Sequence, residues 1–199
     1  MNVGVLISGR GSNMVALADA VAAGAAPGAR VALVLSDRPQ AGGLALARER
    51  GLETAVVERR GRTREEHERE IIEHLRGRGV GLVCLAGYMR LLSARFVEEF
   101  RGRALNVHPS LLPAFPGLDA QRQAVEHGAR VSGCTVHFVD ETLDGGPIIA
   151  QRAVPVLDSD TPDTLAARIL REEHAAYPEA LALVCSGRYE IVGRRVLRT

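Results

Sequence analysis

Three side chains carry the functional groups of acid–base and oxyanion chemistry: Asn106, His108 and Asp144. Asn106 and His108 are two residues apart, so in a strand ended by Pro109 they would point to the same face. An amide donor and a titratable donor on one face suit a negative charge that develops on a reacting oxygen. Asp144 lies in the glycine-containing segment Thr142–Pro147, and its carboxylate could orient the imidazole and favour its protonated form.

Other interpretations use the same residue types. Taken singly, His108 could be a strand-end histidine bonded to backbone, Asn106 a turn-capping amide and Asp144 a turn aspartate. A metal site is not expected, because no HxH, HxxxH or CxxC spacing is present. A Ser-His-Asp hydrolase would use Ser110, but this serine lies between two hydrophobic or rigid neighbours and not on a G-x-S-x-G elbow.

The segment Ser8-Gly9-Arg10-Gly11-Ser12-Asn13 lies between the first predicted strand and the first predicted helix. Glycines there allow a tight turn, and the free backbone amides of a helix start attract an anion, so the segment predicts a phosphate site. A tight turn without ligand is one alternative. A dinucleotide site is another, because Gly9 and Gly11 match G-x-G and Asp37 follows the second strand, where it could act as the ribose-binding acid, although Met14 occupies the third glycine position. The alternative functions are therefore an NAD-dependent oxidoreductase or a non-catalytic nucleotide-binding module.

Short apolar runs alternate with amphipathic segments along the first two thirds of the chain. Strands are predicted at Val3–Ser8, Val31–Ser36, Thr54–Val57, Leu82–Ala86 and Ala104–His108. Helices are predicted at Met14–Ala23, at Leu44–Arg50, from a Thr63 cap through Leu75, and from a Ser93 cap to Phe100. This order predicts an α/β fold with a doubly wound, mostly parallel sheet and helices on both faces. Such sheets bind ligands beyond the carboxyl ends of their strands.

The pattern changes after residue 130. Val131–Val139 and Pro147–Val154 flank a turn-rich connection, which predicts an antiparallel C-terminal strand pair. Thr161-Pro162 then predicts the start of a long helix, in which Pro178 is expected to cause a kink or a break.

Composition excludes several classes of protein. The formal net charge of the 199 residues is +1, so no nucleic-acid or membrane partner is expected. No apolar run reaches the roughly 18–20 residues that span a bilayer. The N-terminus has the pattern of a buried strand and not of a signal peptide, and the three cysteines are far apart, so a cytoplasmic protein with reduced thiols is expected.

Several motifs together resemble the folate-dependent formyltransferase family. They are Asn106-x-His108-Pro-Ser-Leu-Leu-Pro, Pro116-Gly117 and Leu143-Asp144-Gly-Gly-Pro. Gly9-x-Gly11-Ser12-Asn13, the run Ala86–Leu92 and Glu173-His174 are similar to the branch of the family that formylates glycinamide ribonucleotide, and the match extends from Met1 to about Gly187. The resemblance implies formyl transfer from 10-formyltetrahydrofolate, a cosubstrate, to the amine of that sugar phosphate in purine biosynthesis. It implies no metal and no tightly bound cofactor.

The resemblance also implies roles for individual positions. Asn106, His108 and Asp144 match the catalytic residues. Gly11, Ser12 and Asn13 match the phosphate-binding segment, and Glu173 matches a residue that contacts the sugar hydroxyls. The folate pocket is matched by Arg64, Met89, Arg90, Leu91, Leu92, Asn106, Asp140, Glu141, Thr142, Leu143 and Asp144.

The implied organisation is a single formyltransferase domain over residues 1–199. Its phosphate-binding half covers about 1–100 and its folate and catalytic half about 101–199, and we expect a monomer or a weak homodimer. The chain departs from the family after Pro116-Gly117. The family often has Leu-His-x-His there, whereas this chain has Leu118-Asp119-Ala120-Gln121, so histidines at that place are not required.

Overall fold

The computed structural model describes residues 1–199 and contains one mixed sheet flanked by helices. The strands are β1 (Asn2–Ile7), β2 (Arg30–Ser36), β3 (Thr54–Val56), β4 (Val80–Leu85), β5 (Ala104–His108), β6 (Val131–Phe138), β7 (Ile148–Pro155), β8 (Tyr189–Val192) and β9 (Arg195–Arg198). The helices are α1 (Ser12–Ala22), α2 (Gly42–Glu49), α3 (Arg64–Arg76), α4 (Ala94–Glu99), α5 (Ala120–Glu126) and α6 (Pro162–Ser186). None of the helices is long and apolar enough to cross a membrane.

The strand order is β3-β2-β1-β4-β5-β6-β7-β9-β8. Strands β1 to β5 run parallel, β6 pairs antiparallel with β5, and β7 pairs antiparallel with β6. The predicted α/β sheet and the antiparallel pair are therefore confirmed. A hydrophobic cluster covers each face of the sheet. Helices α1, α2, α5 and α6 contribute to the first cluster, and helices α3 and α4 contribute to the second. Alternate strand residues supply both clusters: Val5 and Ile7 belong to the first and Leu6 to the second.

Strand order reverses between β1 and β4, which opens a crevice at their carboxyl ends. The glycine loop follows β1, and the segment Gly87–Leu92 follows β4. The backbone N–H of Ser8 donates to the Gly87 carbonyl (3.1 Å), and the N–H of Met89 donates to the Ser8 hydroxyl (3.0 Å). Because β5 lies beside β4, its C-terminal residues enter the same edge of the sheet.

Helix α6 begins as predicted, with Thr161 as N-cap and Pro162 in the first turn. Of the kink or break expected at Pro178, the break is wrong. The helix runs continuously through this residue. Its neighbours Tyr177 and Leu181 are fully buried against the sheet. The Tyr177 hydroxyl also lies 3.1 Å from the carbonyl oxygens of Leu85 and Leu105. Packing on the sheet thus outweighs the single hydrogen bond that proline removes.

Helix α5 and the β8–β9 hairpin were not predicted. The hairpin turns at Gly193, which has a φ of 61°, and a single bridge between Ile148 and Arg195 joins it to β7. Its strands have only four residues each, and the second begins and ends with arginine, a pattern too brief to distinguish from a basic tail.

Asp160 stabilises the start of α6 and provides a pH-dependent prediction. Its carboxylate accepts hydrogen bonds from Arg168, from the Leu157 N–H and from Thr164, and these bonds hold its pKa well below the ordinary value, the Arg168 bond being the main cause. A lowered folded-state pKa contributes stability above the unfolded pKa and loses it as pH falls. Asp160→Asn should therefore lower Tm near neutral pH, and the difference from wild type should shrink toward about pH 3. A constant difference across thermal melts at these pH values would contradict the assignment.

Candidate active site

The strand pair β5–β6 brings the predicted catalytic residues to the crevice. Asn106 and His108 point to the same face near the end of β5, and their antiparallel partners are His137 and Thr135 of β6. His108 is buried, with only 5% of its surface exposed, and Asn106 is half-buried. Burial strengthens the electrostatic interactions of the His108 ring, because the effective dielectric constant is lower away from water.

Asp144 approaches His108 from the loop between β6 and β7. One carboxylate oxygen, Oδ2, lies 3.4 Å from His108 Nδ1 and accepts the Gly117 N–H at 2.8 Å. Asp144 has a φ of 50°, a conformation that aspartate tolerates better than most residues. Gly146 makes the fold-back possible, since a Cβ there would lie 1.9 Å from the Phe138 carbonyl oxygen. The loop therefore delivers a carboxylate to the imidazole, as the glycines suggested.

The second ring nitrogen of His108 has a backbone partner. Nε2 lies 2.8 Å from the carbonyl oxygen of Phe115, a residue whose φ is 52°. Both ring nitrogens thus face oxygen acceptors, which is the arrangement that suits a proton-carrying ring. To reach a substrate oxygen, an N–H of His108 must exchange the Phe115 carbonyl for it.

The loop that follows β5 is held by buried polar groups. The Thr135 hydroxyl accepts the Leu112 N–H (3.0 Å) and donates to the Ser110 carbonyl (2.7 Å). Ser110 is fully buried, and its own hydroxyl donates to the Ala114 carbonyl at 2.5 Å. Ser110 is therefore a structural residue of the loop, and the hydrolase arrangement considered above does not form.

His137 belongs to the site although the sequence did not single it out. It is buried, its Nε2 lies 3.3 Å from Asn106 Nδ2 and 3.8 Å from Asp144 Oδ1, and its Nδ1 lies 2.8 Å from the Phe138 carbonyl oxygen. Burial is the main cause that lowers the pKa of His137, and the Phe138 hydrogen bond and Asp144 partly oppose it. The sequence offered only one sign that His137 belongs to the site, namely its place in a predicted strand. This sign is insufficient, because the strand register that puts His137 opposite Asn106 cannot be obtained from the sequence pattern.

The glycine loop forms the second part of the site. Gly11 is the residue before α1, with a φ of 80°, and a Cβ on it would lie 2.5 Å from the Cα of Gly43. A close backbone contact between two helix starts thus requires glycine here. The first-turn N–H groups of α1, at Ser12 and Asn13, have no partner within the helix and carry its positive dipole end.

Asn13 connects this loop to α6. Its Nδ2 donates to Glu173 Oε2 at 2.6 Å, and the Asn13 Oδ1 is buried without a hydrogen-bond partner. Burial is the main cause that raises the pKa of Glu173, while Asn13 and Arg10 partly offset it. The predicted phosphate and sugar residues are therefore together at one end of α1, although 160 positions separate them in the chain.

The fold agrees with that of known proteins. Residues 1–181 match the family described as Formyl transferase. The chain belongs to this family.

Its relatives include proteins of purine biosynthesis. The chain is 43% identical to phosphoribosylglycinamide formyltransferase of Escherichia coli (strain K12), over 96% of this chain and 90% of that protein. It is 50% identical to the trifunctional purine biosynthetic protein adenosine-3 of Drosophila melanogaster, over 93% of this chain but only 14% of the relative's length. Among solved structures, glycinamide ribonucleotide transformylase 1 from Symbiobacterium toebii superposes with a TM-score of 0.97 at 52% identity, covering 100% of this chain and 93% of that one.

Three of the predicted folate residues of this formyl transferase have exposed apolar side chains. Met89 (61% exposed), Leu91 (60%) and Leu143 (54%) project from the loops after β4 and β6, and Leu92 packs against the second hydrophobic cluster. Apolar side chains at a crevice favour a flat aromatic ligand.

The Arg90 side chain is held by an acidic residue. Arg90 Nε donates to Asp37 Oδ2 at 2.8 Å, and the Asp37 side chain is fully buried at the end of β2. The Asp37 carboxylate, considered above for binding a ribose, forms an ion pair with Arg90 in the loop after β4 instead. The matched family and the relatives named above support neither a nicotinamide-dependent enzyme nor a non-catalytic nucleotide-binding module.

Of the remaining predicted folate residues, Arg64, Glu141 and Thr142 are exposed and Asp140 is half-buried. Arg64 begins α3 and forms no ion pair, and its N-cap Thr63 makes the predicted capping box with Glu66. Glu141 is exposed and lies 3.7 Å from Arg101, while Asp140 Oδ1 accepts the Thr142 N–H at 2.8 Å. The structure does not bring these side chains into contact with the catalytic cluster, so their folate contacts stay predictions.

Proposed function

We propose that this enzyme transfers the formyl group of 10-formyltetrahydrofolate to the amine of glycinamide ribonucleotide. The observation that carries the proposal is the cluster of Asn106, His108 and Asp144 at the crevice that also holds the glycine loop. The cluster supplies an amide donor, a titratable imidazole and a carboxylate, and the loop supplies anion-binding amides. This pairing fits a reaction between a phosphorylated amine and an acyl donor.

In the proposed reaction the neutral amine nitrogen attacks the formyl carbon and forms a new C–N bond. The carbonyl electrons move to the formyl oxygen, and the resulting charge is stabilised by N–H groups of Asn106 and protonated His108. Asp144 holds the imidazole by charge attraction and orientation. When the tetrahedral intermediate collapses, the bond to the folate nitrogen breaks. That nitrogen receives a proton, and the attacking amine loses one, directly or through water.

The binding residues complete the site. The α1 amides at Ser12 and Asn13 hold the substrate phosphate, and Glu173, positioned by Asn13, contacts the sugar hydroxyls. The loops carrying Met89, Leu91 and Leu143 enclose the folate rings. The folate acts as a cosubstrate that leaves after each turnover, and the chemistry requires no metal or covalent enzyme intermediate.

An activity assay tests the proposal directly. Purified protein is mixed with 10-formyltetrahydrofolate and glycinamide ribonucleotide, and the absorbance change of the folate is followed. Parallel reactions omit the amine, replace it by glycinamide without the ribose phosphate, or contain NADH instead of the folate. We expect rapid turnover only with the complete pair. Equal turnover without the amine would indicate hydrolysis, and NADH binding without formyl transfer would support a dehydrogenase.

The phosphate assignment leads to a charge prediction. Ser12→Asp places a carboxylate in the first turn of α1, where acidic residues stabilise a helix, so folding should be preserved. The same charge repels a phosphate dianion, so KM for glycinamide ribonucleotide should rise by about tenfold or more, or roughly 1.4 kcal/mol or more. KM for the folate should change little. Ser12→Asn is the neutral control. If steady-state kinetics give the same KM for glycinamide ribonucleotide in both variants, the substrate phosphate does not bind at this loop. Gly11 is unsuitable for this test because of its contact with Gly43.

We also infer a cytoplasmic location and a monomer or weak homodimer, consistent with the small-molecule substrates proposed above. Sedimentation equilibrium over a range of concentrations tests the second point, and a concentration-independent dimer or larger assembly would contradict it.

A further inference from the structure

The orientation of the Asn106 carboxamide is controlled by a neighbouring histidine. A carboxamide has a donating and an accepting end, and only its N–H groups can stabilise a negative oxygen. Asn106 is half-buried, and its Nδ2 lies 3.3 Å from Nε2 of His137, the residue directly opposite it in the β5–β6 pair.

The surroundings of His137 determine which of its nitrogens carries the proton. Nδ1 lies 2.8 Å from the Phe138 carbonyl oxygen, which can only accept, so Nδ1 is the protonated nitrogen. Burial lowers the pKa of His137, against the opposing effect of the Phe138 bond and the carboxylates of Asp144 and Asp140, while His108 adds to the lowering. The ring is therefore neutral near neutral pH, and Nε2 presents a lone pair.

A lone pair at Nε2 fixes the amide of Asn106. The amide nitrogen can donate to it, whereas the flipped carbonyl oxygen would face it lone pair to lone pair. One N–H of Asn106 is then committed to His137, and its second N–H remains for the substrate. The Asp144 Oδ1 atom, 3.8 Å from the same Nε2, is beyond hydrogen-bond distance and does not compete for this position.

We propose that His137 is a positioning residue: its unprotonated Nε2 accepts a hydrogen bond from one N–H of Asn106 and thereby holds the second N–H toward the reacting oxygen. The inference rests on the proposed catalytic role of Asn106. It gives the buried histidine a chemical purpose in the reaction, namely to fix a donor before the substrate arrives, which is where preorganised sites gain most of their effect.

Two short amide substitutions separate this role from simple packing. In His137→Gln the side-chain oxygen can occupy the place of Nε2 and still accept from Asn106. In His137→Asn the shorter amide can retain a donor near the Phe138 carbonyl but does not reach Asn106. We expect kcat of the Gln variant within about threefold of wild type, and kcat of the Asn variant lower by about 10–100-fold. KM for both substrates should change by less than about threefold in each variant, because the second N–H of Asn106 acts on charge that develops in the transition state.

His67→Asn is the matched control. His67 is also buried, and its Nε2 lies 2.7 Å from the Val57 carbonyl oxygen, far along the chain from the catalytic strands. This variant should lose thermal stability while its kcat stays near wild type. The ¹⁵N chemical shifts of the His137 ring in the wild-type protein report the tautomer without any activity measurement, and we expect a protonated Nδ1 and an unprotonated Nε2.

The outcomes are distinct. Equal kcat for the Gln and Asn variants, a loss confined to KM, or a protonated Nε2 at neutral pH would each overturn the role of His137. If Asn106→Ala itself keeps normal turnover, the catalytic role of Asn106 fails instead, whatever the His137 variants do. If Asn106→Ala is impaired and the two His137 variants are alike, only the inference about His137 fails.

Discussion

Replacing Asn106 by alanine is expected to lower kcat by about 10²–10³-fold, the usual loss when one oxyanion donor is removed, or roughly 2.7–4 kcal/mol of transition-state stabilisation. The reason is that the second N–H of Asn106 meets a charge that exists fully only after the amine has attacked. Ground-state binding gains little from it, so KM for both substrates should change far less than kcat.

Asn106→Asp should be more severe than the alanine variant. It has nearly the same shape, but it replaces the donor by a negative charge beside the oxyanion and near the Asp144 carboxylate. Steady-state rates with both substrates, together with circular dichroism, provide the measurement. Asn2→Ala is the control. Asn2 donates to the Arg78 carbonyl at the amino end of β1, whereas the site lies at the carboxyl ends of the strands, so this substitution should not affect turnover. Near-normal kcat in Asn106→Ala, or an aspartate variant as active as the alanine one, would refute the assigned role.

Removing the charge of Asp144 is expected to lower kcat by about 10²-fold or more if proton donation by His108 contributes its usual 10²–10⁴-fold. In Asp144→Asn the amide oxygen can occupy the place of Oδ2, so it still accepts the Gly117 N–H and still faces His108 Nδ1. Shape and hydrogen bonding are thus retained, and the Coulomb attraction to an imidazolium at 3.4 Å is lost.

The dependence on pH distinguishes this mechanism from a packing defect. The Asp144 carboxylate offsets the positive charge of an imidazolium beside it, and the amide of Asp144→Asn does not, so the residual activity of Asp144→Asn should increase toward mildly acid pH. The increase should end where the attacking amine becomes protonated. His108→Ala should abolish this acid-side recovery. Adding Asp144→Asn to His108→Ala should lower kcat little further, because the effects of substitutions at residues that act as a unit are not additive.

The experiment is a pH–rate series at saturating substrates for wild type, both single variants and the double variant. A wild-type pH dependence in Asp144→Asn would show that its charge does not act on His108. Multiplication of the two single losses in the double variant would lead to the same conclusion.

Much of the fold follows from local patterns that need no tertiary information. The continuous apolar run at Leu82–Ala86 is typical of a central parallel strand, and β4 lies inside the sheet between β1 and β5. The Thr63 capping box and the Thr161-Pro162 start depend on contacts within one turn, so they form as predicted. Pro178 shows the limit of local reasoning, because the burial of Tyr177 and Leu181, which keeps the helix intact, is a property of the packed sheet.

The candidate site divides in the same way. Residue type and period-two spacing are sufficient to pair Asn106 with His108, and glycines between a strand and a helix are sufficient to indicate an anion site. That Asn13 and Glu173 belong to one binding site was expected only through family resemblance, and the hydrogen bond between them was not predicted, since no local rule joins residues 160 positions apart. His137 was missed because a shift of one residue in strand register would turn its side chain to the opposite face of the sheet. Residue type and short-range spacing in the sequence are thus sufficient to identify the reactive groups. Their partners depend on strand register and loop closure, which only the packed tertiary structure determines.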